Sequence, residues 1–502
     1  MSVRKPPILM HVTQGIFWAA ITFSGGPAAA GDCGLNDVVP GQFLVTELSS
    51  SSKSKGSSLK HLKSSQIKLL AQFSKSNQVI ATYVVQLSAQ EVAQLKSKGD
   101  LQVEPDCYVR PQSLRDPHWA NALQSSSFQW PSRELLTSPI LIAVVDTGVE
   151  IEHEDLISQL WINALEANGT AGVDDDGNGC VDDLHGCDFS PAFGEIDGDP
   201  RPGQYAGAEH GTHVAGLALA TKNARGSEGL APFARLMAVK AFPDHSTDGK
   251  LSDLLSGVYY AARQGAKIIN CSWGLARPPG RAELEAFHYA VSQGALPIVA
   301  AGNAGMDARS FSPAALPHVL TVGSINSLGH RSAFSNFSST LPGSPRMVYA
   351  PGGDSVSRGG SLDEYLVSTW IKNSYGGLRG TSMSTPLVSG VAAWIAALRP
   401  DLTPLDWREI IYSSADSHQV VRPQIAVELS LTWRSGSQLP SELPPAPTAD
   451  EATSFNTSSP SAESCALLAN AKSPSLPIES SRSGFLLLLV PVMMAWFQRR
   501  RF

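Results

Sequence analysis

Between Asp116 and Trp433, short unbroken apolar runs alternate with segments of helical character. The runs are Ile140–Val145, Leu236–Ala241, Lys267–Ser272, Leu296–Ala301 and Val319–Val322. A strand that is apolar along its length has no face to offer water, so it belongs in a sheet covered on both sides. Helices between the strands provide that cover and make the sheet parallel. The expected class is therefore α/β, three layers around a mostly parallel central sheet. In such sheets the reactive groups collect beyond the carboxyl ends of the strands.

The chain has 502 residues, more than one ordinary domain needs. Residues 1–30 read as an export signal. Arg4 and Lys5 precede an apolar stretch, Ile8 to Phe23, and Ala28–Ala30 offers a small-residue cleavage site. A short anchor or a buried helix is the competing reading, since His11, Thr13 and Gln14 interrupt the stretch. Residues 31–112 form a small α+β module. Strands are expected at Gln42–Thr46, Tyr83–Val85 and Leu101–Val109, with a Ser/Lys-rich loop over Ser49–Ser65. Ser88 and Glu91 have capping-box spacing, Leu87 and Val92 could staple the helix start, and Gly99 is expected to end the helix. Residues 113–433 are the main domain, and 434–484 a Ser/Pro-rich linker with the composition of disorder. Residues 485–502 carry an apolar run, Phe485–Phe497, broken by Pro491 and followed by Arg499–Arg501. That run falls short of the roughly 20 residues that span a bilayer.

Hydrophobic residues make up 42% of the chain and the net charge is −7, with no dominant basic stripe. That composition supports a large core and argues against nucleic acid as a partner. The six cysteines are Cys33, Cys107, Cys180, Cys187, Cys271 and Cys465. Export would permit disulfides among them.

Three segments carry candidate chemistry, each ambiguous alone. Asp146-Thr147-Gly148 ends the first apolar run. A carboxylate there can orient a histidine, but the triplet also occurs in aspartic proteases, and a plain turn reads the same way. Aspartic proteases need a second such carboxylate, and no second Asp-Thr-Gly or Asp-Ser-Gly is present. His210-Gly211-Thr212-His213-Val214-Ala215-Gly216 opens a helix whose glycines allow close backbone approach. Its two histidines lack the companions of a zinc site. Gly380-Thr381-Ser382-Met383-Ser384-Thr385-Pro386 precedes an apolar helix, where a serine can be a nucleophile or a simple N-cap.

Taken together, "VVDTGV", "HGTHVAG" and "GTSMSTP" resemble the motifs of subtilisin-like serine proteases, the peptidase S8 family, in the Asp…His…Ser order known from subtilisin. The module with "PGQFLVTEL" and "VEPD" is similar to the inhibitory I9-type propeptides of that family. The resemblance implies a three-layer subtilisin-like fold and a serine endopeptidase made as a self-processed zymogen. It implies a triad of Asp146, His210 and Ser382, with Asn303 as oxyanion donor. It implies that Ser272-Trp273-Gly274 and Ala300-Ala301-Gly302 bind peptide substrate as an added strand. Trp273 stands where leucine is commoner, and either reshapes a pocket or simply packs; Cys271 beside it reads as a small buried hydrophobe. Ser384 stands where alanine is commoner.

Asp174, Asp176, Asn178 and Asp182 lie in "DDDGNGCVDD", which copies the first half of an EF-hand loop. They are read as ligands of a structural, non-catalytic Ca²⁺, against the alternative of a solvated acidic loop. By resemblance, Asp155 and Asn223 belong to a second calcium site. Cys180 and Cys187 are expected to bridge and staple the acidic loop. Expected partners are protein or peptide substrates and the chain's own propeptide as inhibitor, with the protein a monomer. The tail is similar to bacterial C-terminal sorting signals, implying a secreted or cell-surface location and transient membrane association; a weak anchor is the alternative. Two rival readings, a binding protein on an inactivated protease scaffold and a sedolisin-type acid peptidase, are opposed by the four polar residues and by His210.

Overall fold

The structure is a computed structural model. It describes residues from Val38 to Gly436 with interruptions, the longer ones at 50–58, 116–130, 191–195 and 355–364. The export signal, the linker beyond Gly436, the tail, Cys33 and Cys465 lie outside the described residues. The chain divides into two units, Met1–Phe455 and Asn456–Phe502, and only the first contains described residues.

The N-terminal module comprises β1 (Val38–Ser49), β2 (Ile67–Lys75), β3 (Gln78–Gln86), α1 (Ala89–Lys96) and β4 (Leu101–Pro111). The strands lie in the order β4-β1-β3-β2 and pair antiparallel. The capping box is formed: Glu91 N–H donates to Ser88 Oγ at 3.3 Å and Ser88 N–H to Glu91 Oε2 at 2.7 Å. Leu87 and Val92 meet in the same small core as Val45, Val85 and Leu95. The helix ends at Lys96 with Ser97 as its C-cap, and Gly99 lies outside the described residues. Strand β2 was not foreseen, because its Lys68, Gln72, Ser74 and Lys75 blur the apolar pattern. A two-residue strand β5 (Leu114–Arg115) follows.

The main domain runs β6 (Leu141–Asp146), α2 (Ala164–Ala167), β7 (Gly186–Asp188), α3 (His210–Leu219), β8 (Arg235–Lys240), β9 (Gly249–Lys250), α4 (Leu251–Arg263), β10 (Ile268–Cys271), β11 (Trp273–Gly274), α5 (Arg281–Ser292), β12 (Leu296–Ala300), β13 (Leu320–Ile325), β14 (Met347–Pro351), β15 (Leu366–Trp370), β16 (Ser374–Arg379), α6 (Thr381–Leu398), α7 (Pro404–Ser414) and α8 (Pro423–Thr432). Seven strands form one parallel sheet in the order β14-β13-β12-β10-β6-β8-β7. Each expected apolar run supplies one of its strands.

Strand β6 shows why the runs had to be unbroken. Ile142 and Val144 pack into the core with α3 and α6, while Ala143 and Val145 pack into the core with α4 and α5. Side chains alternate faces along a strand, so only a strand apolar at both parities fits between two dry layers. Each fully buried Val or Ile there stabilises the fold by about 1.5–3 kcal/mol.

Candidate active site

Asp146 is the last residue of β6, which lies between the central strand β10 and β8 in the sheet. His210 is the first residue of α3. Both are buried, and His210 Nδ1 lies 2.6 Å from Asp146 Oδ1, which also accepts the Thr147 N–H at 2.8 Å. Thr147 clamps the helix start. Its hydroxyl donates to the Ala208 carbonyl and accepts the Gly211 N–H, both at 2.9 Å. The two motif glycines are close-approach positions. A Cβ on Gly211 would sit 2.3 Å from the Gly148 carbonyl oxygen, and one on Gly216 would sit 2.2 Å from the Ser368 and Thr369 hydroxyls. Side chains there would push the helix, and His210 with it, off the strand end.

His213 has a different role. It is buried, its Nε2 lies 2.8 Å from the Leu366 carbonyl, and its ring meets Trp370 edge-on. Burial lowers its pKa to about 3, so it packs as a neutral ring.

Ser382 is the second residue of α6, just after Gly380, whose φ of +147° suits glycine. Its hydroxyl donates to the Ser272 carbonyl at 3.0 Å. His210 Nε2 is buried without a hydrogen-bond partner. Asn303 follows β12. Its Oδ1 accepts both the N–H and the hydroxyl of Thr381, each at 3.0 Å, which leaves the amide NH₂ as its donor end. An aspartate, a histidine, a serine and an amide donor from four distant segments thus converge at the carboxyl edge of the sheet. That set can relay a proton from a hydroxyl and stabilise an oxyanion.

The edge segments are only partly as expected. Trp273 and Gly274 pair antiparallel with Pro111 and Arg110 of β4. The second edge is β9, where Lys250 and Gly249 pair with Tyr108 and Val109. Ala300–Gly302 does not serve as that edge here. Ala301 N–H donates to the Val322 carbonyl, Asn336 donates to the carbonyls of Ala301 and Gly302, and Gly302 N–H donates to Thr381 Oγ1. Trp273 packs rather than lining a pocket: its ring is 1% exposed and Nε1 donates to the Val145 carbonyl at 3.0 Å. Cys271 is a free buried thiol, pushed up in pKa by burial. Ser384 donates to the Ala350 carbonyl at 3.0 Å, away from the triad. Leu114 and Arg115 pair with Arg379 and Leu378 of β16.

Two acidic residues missed in the sequence dock β4 onto the main domain. Glu104 accepts the N–H groups of Arg281 and Ala282 at the start of α5, at 2.6 and 3.4 Å. Asp106 accepts the Ser252 N–H at 3.0 Å and hydroxyl at 2.5 Å at the start of α4. Each carboxylate meets the positive end of a helix dipole. Burial, reinforced by Glu283, raises the pKa of Glu104 to about 7.

The acidic loop corrects the expected ligand set. Asp174 is spent on its own turn, accepting the N–H groups of Asn178 and Gly179. Asp182 adopts a left-handed φ of 53° and its carboxylate accepts the Gly172 N–H. Asn178 donates to Asp183, which replaces Asp182 on the inner side of the loop. Glu166, Asp176 and Asp183 bring one carboxylate oxygen each within 4.8 Å of the others. Glu166 Oε2 is buried without a partner, and burial raises Asp183 to about 6 despite hydrogen bonds from Tyr260, Asn178 and Asn163. Three clustered carboxylates met only by neutral donors suit a hard cation. The Cys180–Cys187 disulfide closes this loop onto β7. Asp155 and Asn223 are also brought together. The Asp155 carboxylate accepts from Asn223 Nδ2 at 2.7 Å, Ser227 N–H at 3.1 Å and Tyr375 Oη at 2.7 Å.

Comparison with known proteins gives a consistent result. The peptidase S8 profile, described as the subtilase family, matches residues 137–438. A thermophilic serine proteinase of Bacillus sp. (strain AK1) is 34% identical over 276 residues, covering 55% of this chain and 56% of that protein. Thermitase of Thermoactinomyces vulgaris is 34% identical over 258 residues, covering 51% of this chain and 74% of that protein. The chain thus spans little more than half of the first relative's length. Among solved structures, fervidolysin from Fervidobacterium pennivorans, described as a keratinolytic enzyme related to subtilisin, shares the fold with a TM-score of 0.55. Its identity is 21%, with 80% of this chain and 63% of that one covered.

Proposed function

This chain belongs to the subtilase family of serine endopeptidases, and on that premise we propose that it is an exported enzyme made as a self-processed zymogen. The observation that carries the reading is the buried His210–Asp146 pair at 2.6 Å, with His210 on the helix α3 that packs against α6, the helix that holds Ser382. Ser382 Oγ attacks the scissile carbonyl after a turn about its Cα–Cβ bond takes it from the Ser272 carbonyl to His210 Nε2. His210 takes the proton and later returns it to the leaving amine, while Asp146 holds the imidazole tautomer and stabilises its charge. The NH₂ of Asn303 and the N–H of Ser382 receive the oxyanion.

Residues 31–112 act as propeptide and inhibitor, with cleavage between Tyr108 and Pro117. Support comes from β4, which is laid on β11 and β9 as a peptide strand would be. Glu166, Asp176 and Asp183 would hold a Ca²⁺ that supplies charge neutralisation to the loop and takes no part in the reaction. Substrates are proteins or peptides, the location is secreted or cell-surface, and the enzyme is a monomer.

A fluorophosphonate probe tests the reading. Secreted protein should label at Ser382, and Ser382→Ala and His210→Ala proteins should not. Unlabelled wild-type protein would favour the inactivated-scaffold alternative.

A further inference from the structure

Ser272 and Ser382 exchange two hydrogen bonds across 110 residues of sequence. Ser382 Oγ donates to the Ser272 carbonyl, and Ser272 Oγ donates to the Ser382 carbonyl, each at 3.0 Å. The second bond has a cause in the sequence. In an α-helix the carbonyl of residue 382 is met by the N–H of residue 386. That residue is Pro386, inside α6, which has no N–H to give. The Ser382 residue is fully buried, so its carbonyl would otherwise be a dry, unmatched acceptor.

The Ser272 hydroxyl is itself aimed. Asn270 Nδ2 donates to Ser272 Oγ at 2.9 Å, which turns the hydroxyl hydrogen toward Ser382. The Asn270 amide is oriented in turn by Ser389, whose hydroxyl donates to Asn270 Oδ1 at 2.9 Å. Asn270, Ser272 and Ser389 are all at or near zero exposure. The chain of bonds starts and ends on α6, one turn beyond the proline and one turn before it, with the end of β10 between.

We propose that Asn270 and the Ser272 side chain are positioning residues that replace the helical hydrogen bond removed by Pro386, and so set the turn that presents Ser382. The inference rests on Ser382 being the nucleophile. The loose carbonyl lets the first turn of α6 tilt, carrying Ser382 Oγ and its N–H off line together. Displacement of that size acts on the chemical step more than on substrate binding.

The test is a double-mutant cycle on active-site-titrated enzyme with a peptide substrate, slow precursors being matured with trace wild-type protein. Ser272→Ala should lower kcat by about 10- to 100-fold with KM within about twofold. Asn270→Ala should move kcat in the same direction. In a Pro386→Ala background, where residue 386 regains its N–H, adding Ser272→Ala should cost less than about threefold. Should Ser272→Ala prevent folding, the double variant should restore secreted protein. An equal cost in both backgrounds, an unchanged kcat in Ser272→Ala, or a double variant that still fails to fold overturns the proposal. An inactive wild-type enzyme would instead defeat the nucleophile assignment beneath it.

Discussion

Thr381 holds Asn303 by two hydrogen bonds to one oxygen, the backbone N–H and the side-chain hydroxyl each reaching Oδ1 at 3.0 Å. An amide has one acceptor and one donor end, so fixing the oxygen fixes where the NH₂ points. The residue next to Ser382 therefore orients the amide proposed as oxyanion donor. Asn303→Ala should lower kcat by about 10²–10³ with little change in KM, the magnitude known for loss of one oxyanion donor in subtilisin. Thr381→Val removes one of the two anchors and should give a smaller loss of the same kind. Steady-state kinetics on both variants checks this, and a change confined to KM would remove Asn303 from the oxyanion site.

Strand pairing narrows the proposed self-processing site. Pro111 is the last residue paired with β11, and Leu114 the first paired with β16. A scissile carbonyl has to leave the ladder to enter an oxyanion site, so the bond should lie between Pro111 and Leu114. N-terminal sequencing of the mature protein should begin at Gln112, Ser113 or Leu114. In Ser382→Ala protein the precursor should persist uncut. A mature N-terminus elsewhere, with intact activity, would show that the β4 strand is not presented as substrate.

Inhibition by the released module should depend on pH. Glu104 has its pKa raised from 4.5 to about 7 when docked, burial being the main cause and Glu283 the next. A group whose pKa rises on docking takes up a proton, so its contribution is complete below the free value and is lost as pH rises through the docked one. The isolated module added in trans should bind about tenfold or more tighter near pH 5.5 than near pH 8. Glu104→Gln should flatten that dependence over the same window, and an inhibition constant that stays level or tightens with rising pH would contradict it.

Chelation should lower the melting temperature and speed autolysis while sparing turnover at low temperature. A cation 100-fold above its Kd stabilises the native state by about 2.7 kcal/mol through mass action. Asp176→Asn and Asp183→Asn should reproduce most of the loss, whereas Asp182→Asn should not. Because Asp183 is raised to about 6, a proton competes with the ion, and the chelation effect should shrink as pH falls below that value. Calorimetry with and without EDTA at two pH values reads all of this. Melting temperatures indifferent to EDTA would return the loop to a solvated acidic surface.

Much of this protein was determined by sequence-local physics. Apolar runs at both parities demanded a two-sided parallel sheet, as Ile142 and Ala143 show by facing opposite cores. Ser88 and Glu91 have the spacing to cap their own helix, and the short Cys180–Cys187 spacing suggested the bridge that closes their loop. Motif order nominated Asp146, His210 and Ser382, and the family resemblance added Asn303. What the sequence left open depends on which segments meet in space. Asp183 replaces Asp182 because a left-handed residue reverses the side-chain direction at one position, a backbone choice that no spacing rule encodes. The edge at Gly249–Lys250 and the caps by Glu104 and Asp106 join partners 140 or more residues apart. Pro386 deprives a carbonyl of its donor by local chemistry alone, but only the packing of β10 against α6 decides that Ser272 supplies the replacement.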